Sequence, residues 1–78
     1  MECIAIFFTH SGAIKYSRYL NKIGIKNQTM PVPRKLSSNC GIGVKLFYKG
    51  NIKNIITDDI EKIFIVRDKT YECVYYCE

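Results

Sequence analysis

Four thiols and one imidazole are the reactive side chains that stand out in this chain: Cys3, Cys40, Cys73, Cys77 and His10. Their spacing speaks against a metal centre, since no two cysteines form a Cys-x-x-Cys pair and His10 is far from any zinc-finger spacing. A secreted disulfide framework is not expected either, because the start MECIAIFFTH lacks a basic leader and a small-residue cleavage site. The expectation is free thiols in a reducing cytoplasm, with no metal and no cofactor. Cys3, Cys73 and Cys77 lie among apolar and aromatic residues and read as core or sheet packing. Cys40 differs. It lies in MPVPRKLSSNCGIGVK, residues 30–45, behind two prolines, two basic residues and three small polar residues, and directly against a glycine.

That setting suits an activated thiol. A free cysteine titrates near 8.5, and positive charge or amide dipoles nearby lower that value and raise the thiolate fraction. The amides of Gly41, Ile42 and Gly43 can turn toward a sulfur, because glycine permits tight backbone with positive φ. Arg34, Lys35 and His10 can supply charge, and the start of the helix that follows His10 adds a positive dipole end. The bland reading of Cys40 is a small packing residue near a strand start, and that of His10 is a hydrogen-bonding residue at a helix start. Gly41-Ile42-Gly43 is not a dinucleotide fingerprint: the third glycine is missing and no helix follows.

The elements that must position these residues follow from periodicity. Residues 3–8 are apolar strand formers and read as a central strand. Thr9, His10, Ser11 and Gly12 break it. Ala13, Tyr16, Leu20 and Ile23 then mark one helical face, with Thr9 or Ser11 as cap and Gly24 as stop. Residues 25–32 are extended, and Pro31 and Pro33 assign them to a sheet edge because proline cannot donate to a ladder. Residues 33–42 form a loop and 44–48 a strand, followed by the turn Lys49-Gly50-Asn51. Residues 52–57 either extend a hairpin or lead irregularly into a helix, and the second reading is preferred.

Asp58-Asp59-Ile60-Glu61 resembles a capped helix start, with Ile60, Ile63 and Phe64 on one face, although Ile65-Val66 would suit a strand equally well. Asp68-Lys69-Thr70 ends that element, and residues 71–77 read as a last strand. The order predicts an α+β single domain over 1–78, a ferredoxin-like βαββαβ sandwich of four antiparallel strands with two helices on one face. In that arrangement the first and third strands are central. Residues 9–12, 33–42 and 68–70 share one end of the sheet, while Cys3 and Cys77 meet on adjacent strands at the other.

A net charge of +5 leans toward an anionic partner. Lys15, Arg18, Lys22 and Lys26 recur at helical spacing and read most simply as a solvated face. Phe7, Phe8, Phe47 and Tyr48 on the central strands could serve an RNA-recognition sheet, but VKLFYKG lacks the basic-glycine-aromatic signature, so nucleic acid is not the expected partner. Tyr71, Tyr75 and Tyr76 suit either a protein-binding surface or plain edge packing. No apolar run approaches the roughly 20 residues of a membrane span.

The segment PVPRKLSSNCGIGVK resembles the signature of a small bacterial family of selenium/sulfur carrier-like proteins: PVPR, small residues, Cys-Gly, then a strand with a basic residue. Those features stand here as Pro31-Val32-Pro33-Arg34, Ser37-Ser38-Asn39, Cys40-Gly41 and Lys45, the family usually having arginine where this chain has Lys45. That exchange weakens a bidentate grip on an anion at Lys45. FFTHSGAIKYSRYLNKIGI is similar to the family's strand, turn and first helix, without the usual mid-helix acid near Tyr16, Ser17 and Arg18. TYECVYYCE is similar to its closing strand, with Cys73 where glycine is common, whereas KGNIKNIITDDIEKIF matches poorly. The resemblance implies a carrier rather than a turnover enzyme. It implies that Cys40 accepts sulfane sulfur or reduced selenium from a donor protein and hands it to an acceptor, with Gly41, Ile42, Gly43, Arg34, His10 and Lys45 facing the anionic chalcogen.

Overall fold

A computed structural model describes residues 1–36 and 41–77. Its elements run β1 (Glu2–Phe7), α1 (His10–Lys22), β2 (Asn27–Pro31), β3 (Ile42–Phe47), a single 3-10 turn at Ile52–Ile55, β4 (Ile60–Arg67) and β5 (Thr70–Tyr76). All strand pairs are antiparallel and form one sheet in the order β2-β3-β1-β4-β5. The mixed α/β class and the edge position of the proline-bearing strand match the sequence. The expected four strands and two helices become five strands and, among the described residues, one helix.

The difference has a local cause. Residues 60–67 form a strand, and Glu61 is an extra residue in it: Phe7 faces Ile60 while the preceding Ile6 faces Lys62. This bulge puts Ile60 and Ile63 on the same face three positions apart, which imitates helical spacing in a strand whose true period is two. Beyond the bulge, Ile63 and Ile65 are buried on one face and Phe64 and Val66 half-buried on the other. The β-branched run therefore decided in favour of strand. Asp58 and Asp59 form a turn into β4 rather than a helix cap.

The spatial order of β2, β3, β1 and β4 is still that of the expected sandwich. The connection from β3 to β4 crosses on the helix side and is short. Asn51 accepts from the Lys53 N–H to open the 3-10 turn, and Ile55 drops into the core. The Tyr16 hydroxyl donates to the Ile55 carbonyl at 2.7 Å, tying this crossover to the helix. One turn thus occupies the place expected of a second helix. The fifth strand follows from a tight hairpin in which Asp68 and Lys69 both adopt positive φ, 46° and 67°, the geometry that suits strand twist in a two-residue loop.

α1 begins where Thr9 accepts from the Gly12 N–H at 3.0 Å, and the chain leaves it through Gly24 at φ +80°. It buries Ala13, Tyr16 and Leu20 against Cys3, Ala5, Phe7, Val44, Leu46, Ile60, Ile63 and Ile65. The opposite sheet face carries a much smaller buried cluster of Ile4, Ile6 and Leu36.

Candidate functional site

The chain between Val32 and Gly41 holds the residues singled out for chemistry, and its neck is closed. The Val32 N–H donates to the Gly41 carbonyl at 3.1 Å, continuing the β2–β3 pairing that ends at Pro31 and Ile42. Just inside the neck, the Leu36 N–H donates to the Pro33 carbonyl at 2.9 Å, closing a turn over 33–36. Leu36 is 7% exposed and packs on Ile4 and Ile6. Sequence reasoning missed this anchor, although Leu36 is the only apolar residue between Pro33 and Cys40. A closed neck with a side chain packed underneath is how compact surface loops are held. Cys40 itself lies outside the described residues, as do Ser37, Ser38, Asn39 and Glu78.

Gly41 takes φ +73°, a left-handed conformation that L side chains rarely adopt, so the backbone itself calls for glycine here. Gly43 answers a different demand. It stands inside β3 with β1 and β2 on either side, opposite Ile6 and Met30, and an added Cβ would lie 3.0 Å from the Ala5 carbonyl oxygen.

His10 is the first residue of α1, is exposed, and lies at the same end of the sheet as the neck. It joins Thr29, Met30, Pro31, Gly41 and Ile42 around an open cleft of about 330 Å³. On its other side His10 borders a wider cleft of about 720 Å³ with Thr9, Ser11, Ile14, Lys15 and Arg18. The structure therefore brings His10 to Gly41 and Ile42, as a site there requires. Thr29, Met30 and Pro31 also line that cleft, and only the pairing of β2 with β3 could have revealed them. Arg34 and Lys45 line neither cleft. Arg34 is exposed in the turn above Leu36, and Lys45 sits in mid-β3 opposite Ile4 and Gln28 with its Nζ 6.0 Å from the Phe47 ring centre. Lys45 stands four positions after Gly41, roughly 13 Å along the strand.

The other thiols are sorted differently from expectation. Cys3 is fully buried on the helix side, and burial raises its thiol above the ordinary range, with the N-terminal charge acting weakly in the opposite sense. Cys73 is exposed opposite Phe64. Cys77 is half-buried, and its N–H donates to the Glu61 carbonyl, which puts it at the His10 end of the sheet and not beside Cys3. A hydrogen bond with Cys77, aided by desolvation, raises the Tyr75 hydroxyl above its usual value. The hairpin at Asp68-Lys69 is likewise at the far end, because β4 runs from Ile60 beside Phe7 to Ile65 beside Cys3. The cause is again the strand in place of a helix, which reverses where the chain stands at residue 68. Among the described residues no group of three histidines, cysteines or carboxylates is placed to hold a metal, and no helix is long and apolar enough to cross a membrane.

The family model described as "Putative Se/S carrier protein-like" matches residues 2–72, nearly the whole chain and all of the segment from Pro31 to Gly41. The chain belongs to this family. No curated protein and no solved structure matches it. Family membership thus covers β1 through the first residues of β5, including the stretch around residues 50–65 whose composition resembled the family least.

Proposed function

We propose that this protein is a sulfur or selenium carrier whose working group is the Cys40 thiolate. The family match across the Cys40 segment carries the reading, and the closed neck supports it. A carrier needs a reachable thiol on a firm base, not a deep pocket. In loading, the Cys40 thiolate attacks the outer sulfur of a donor persulfide. The donor S–S bond breaks, the donor leaves as a thiolate, and Cys40–S–SH forms with no net oxidation. A donor with a terminal selenium reacts in the same way. An acceptor nucleophile then takes the terminal atom and returns the Cys40 thiolate.

In this reading Arg34 provides positive charge and His10 a ring N–H near the anionic chalcogen, Gly41 sets the backbone beside it through its left-handed turn, and Ile42 and Gly43 continue into the strand that holds it. Lys45 contributes from farther down β3. Donor and acceptor proteins are the partners, and a reducing cytoplasm is the setting in which such a thiol stays free. An RNA-binding sheet is not favoured: the middle of one face is covered by α1 and that of the other by Leu36, while the exposed aromatics Phe8 and Phe47 lie at strand ends.

Alkylation rate against pH, resolved to each cysteine by mass spectrometry, tests this directly. Cys40 is expected to react fastest and to titrate below about 8.5. Cys40→Ser is expected to stay folded and to accept no sulfur from a small-molecule persulfide. Loading of that variant at the wild-type level would overturn the proposal.

A further inference from the structure

The charges of this protein are segregated. Residues 3–57 contain nine lysines and arginines and no aspartate or glutamate. Apart from Glu2, every acid lies from Asp58 onward. Folding keeps the two populations apart, because the acid-free stretch forms α1, β2 and β3 while β4 and β5 make up the other side of the sheet. The concentration is strongest on α1. Lys15, Arg18 and Lys22 are exposed there at three- and four-residue spacing, around a surface that also presents half-buried Ile14 and exposed Tyr19 and Ile23. Lys15 reaches Asp59 at 3.7 Å, at the border with the acidic side, through an ammonium largely open to water and a carboxylate about one-third exposed. That pair is weak by its geometry and exposure. Arg18 and Lys22 lie within the acid-free stretch 3–57.

We infer that the exposed face of α1, from His10 to Lys22, is the docking surface for an acidic patch on a partner protein. Two observations select the occupant. The one-signed field matches a negative surface and orients it, since residues 58–78 carry six acids against three lysines and arginines and do not attract the same partner. The apolar and aromatic side chains among the cations suit a protein interface rather than a phosphate backbone. The surface also leads to the candidate site, because the cleft at Thr9–Arg18 and the cleft at Gly41 share His10 as a wall. A partner seated on α1 therefore has its reactive group brought to the neck of the Cys40 loop. This inference gives the partner chemistry for the carrier reading and rests on that reading for its purpose, but not for its test.

The test uses the full chain carrying Cys40→Ser, which cannot load, so that docking and carrying are read separately. A 20-residue peptide of glutamate and leucine is titrated into the isotope-labelled protein, and amide shifts are followed by NMR. The expected changes are confined to residues 10–23 and the adjoining 29–31 and 41–42. Affinity falls about tenfold between 50 and 300 mM salt, as screening of an exposed ionic surface requires. Arg18→Glu with Lys22→Glu is expected to weaken binding at least tenfold while preserving the native amide spectrum elsewhere. Absence of binding, shifts centred on β4 and β5, or tighter binding of a uridine homopolymer than of the peptide would overturn the inference. Concentration-dependent self-association through the same residues would also overturn it, since the acidic occupant would then be a second copy.

Discussion

The two faces of the sheet are covered by unlike means. On one, a 13-residue helix and the crossover turn bury a continuous layer that includes Phe7, Tyr16, Leu20, Ile55 and Ile60. On the other, Leu36 stands over Ile4 and Ile6, with Met30, Val32, Phe64, Val66 and Tyr71 half-buried around it. α1 and the segment over 33–36 both leave the Phe7 end of the sheet, and the crossover turn leaves the other end after Phe47. The helix makes its own hydrogen bonds and needs only an apolar stripe, whereas the segment over 33–36 makes one turn and relies on a single side chain. The lesson is a division of labour: stability is concentrated under α1, and the turn over residues 33–36 is held by a local and separable contact.

The largest effect that could break this comparison comes from Leu20→Ala. Leu20 is fully buried under the helix, so the cavity should cost about 3–4 kcal/mol, most of the stability of a domain this small. Denaturant unfolding is expected to lose most of its native baseline. Leu36→Ala should cost less, about 2 kcal/mol, because the neighbouring residues on that face are only half-buried. Its signature is expected to be local: faster proteolysis between Val32 and Gly41, with the helix amides still protected from exchange. Equal losses for the two variants would show that the faces form one cooperative core.

A smaller effect separates the faces by pH. Cys3 and Tyr16 lie on the helix side, and burial raises both, Tyr16 beyond the ordinary alkaline range. In the unfolded chain they lose protons first, near the ordinary cysteine and tyrosine values of about 8.5 and 10. Their contribution to stability is therefore fully present below about pH 8.5 and is lost as pH rises through the folded values. The slope approaches about 1.4 kcal/mol per pH unit for each group. Tyr16→Phe should flatten the alkaline decline, and Leu36→Ala should leave its slope unchanged. Thermal melts at pH 8, 9 and 10 would show whether the titrating groups belong to the helix side alone.

Much of the architecture was legible because local rules agree there. Thr9, the helical spacing of Ala13, Tyr16 and Leu20, and Gly24 gave the helix with both ends, and Pro31 gave the edge strand. β4 was not legible, because one bulged residue at Glu61 moved Ile63 to a helical distance from Ile60. Of the candidate site, Cys40, Gly41 and His10 were proposed from residue type, and the structure added Leu36 beside it and the residues of β2 that share a cleft with His10. No local signal announces those, because they acquire their roles only through pairing and burial.

The sequence by itself determined the chemistry on offer and the charge asymmetry: a cysteine against a glycine, a histidine at a helix start, and 55 residues without an acid. Those are properties of residue identity and order, which folding does not change. Tertiary structure alone decided which groups meet. It brought His10 to Gly41 across some thirty residues, and sent the Asp68-Lys69 turn and Cys77 to ends opposite from those the chain order suggested. The physical reason is strand direction. A single element changed from helix to strand reverses where the following chain must stand, and no nearest-neighbour preference encodes that.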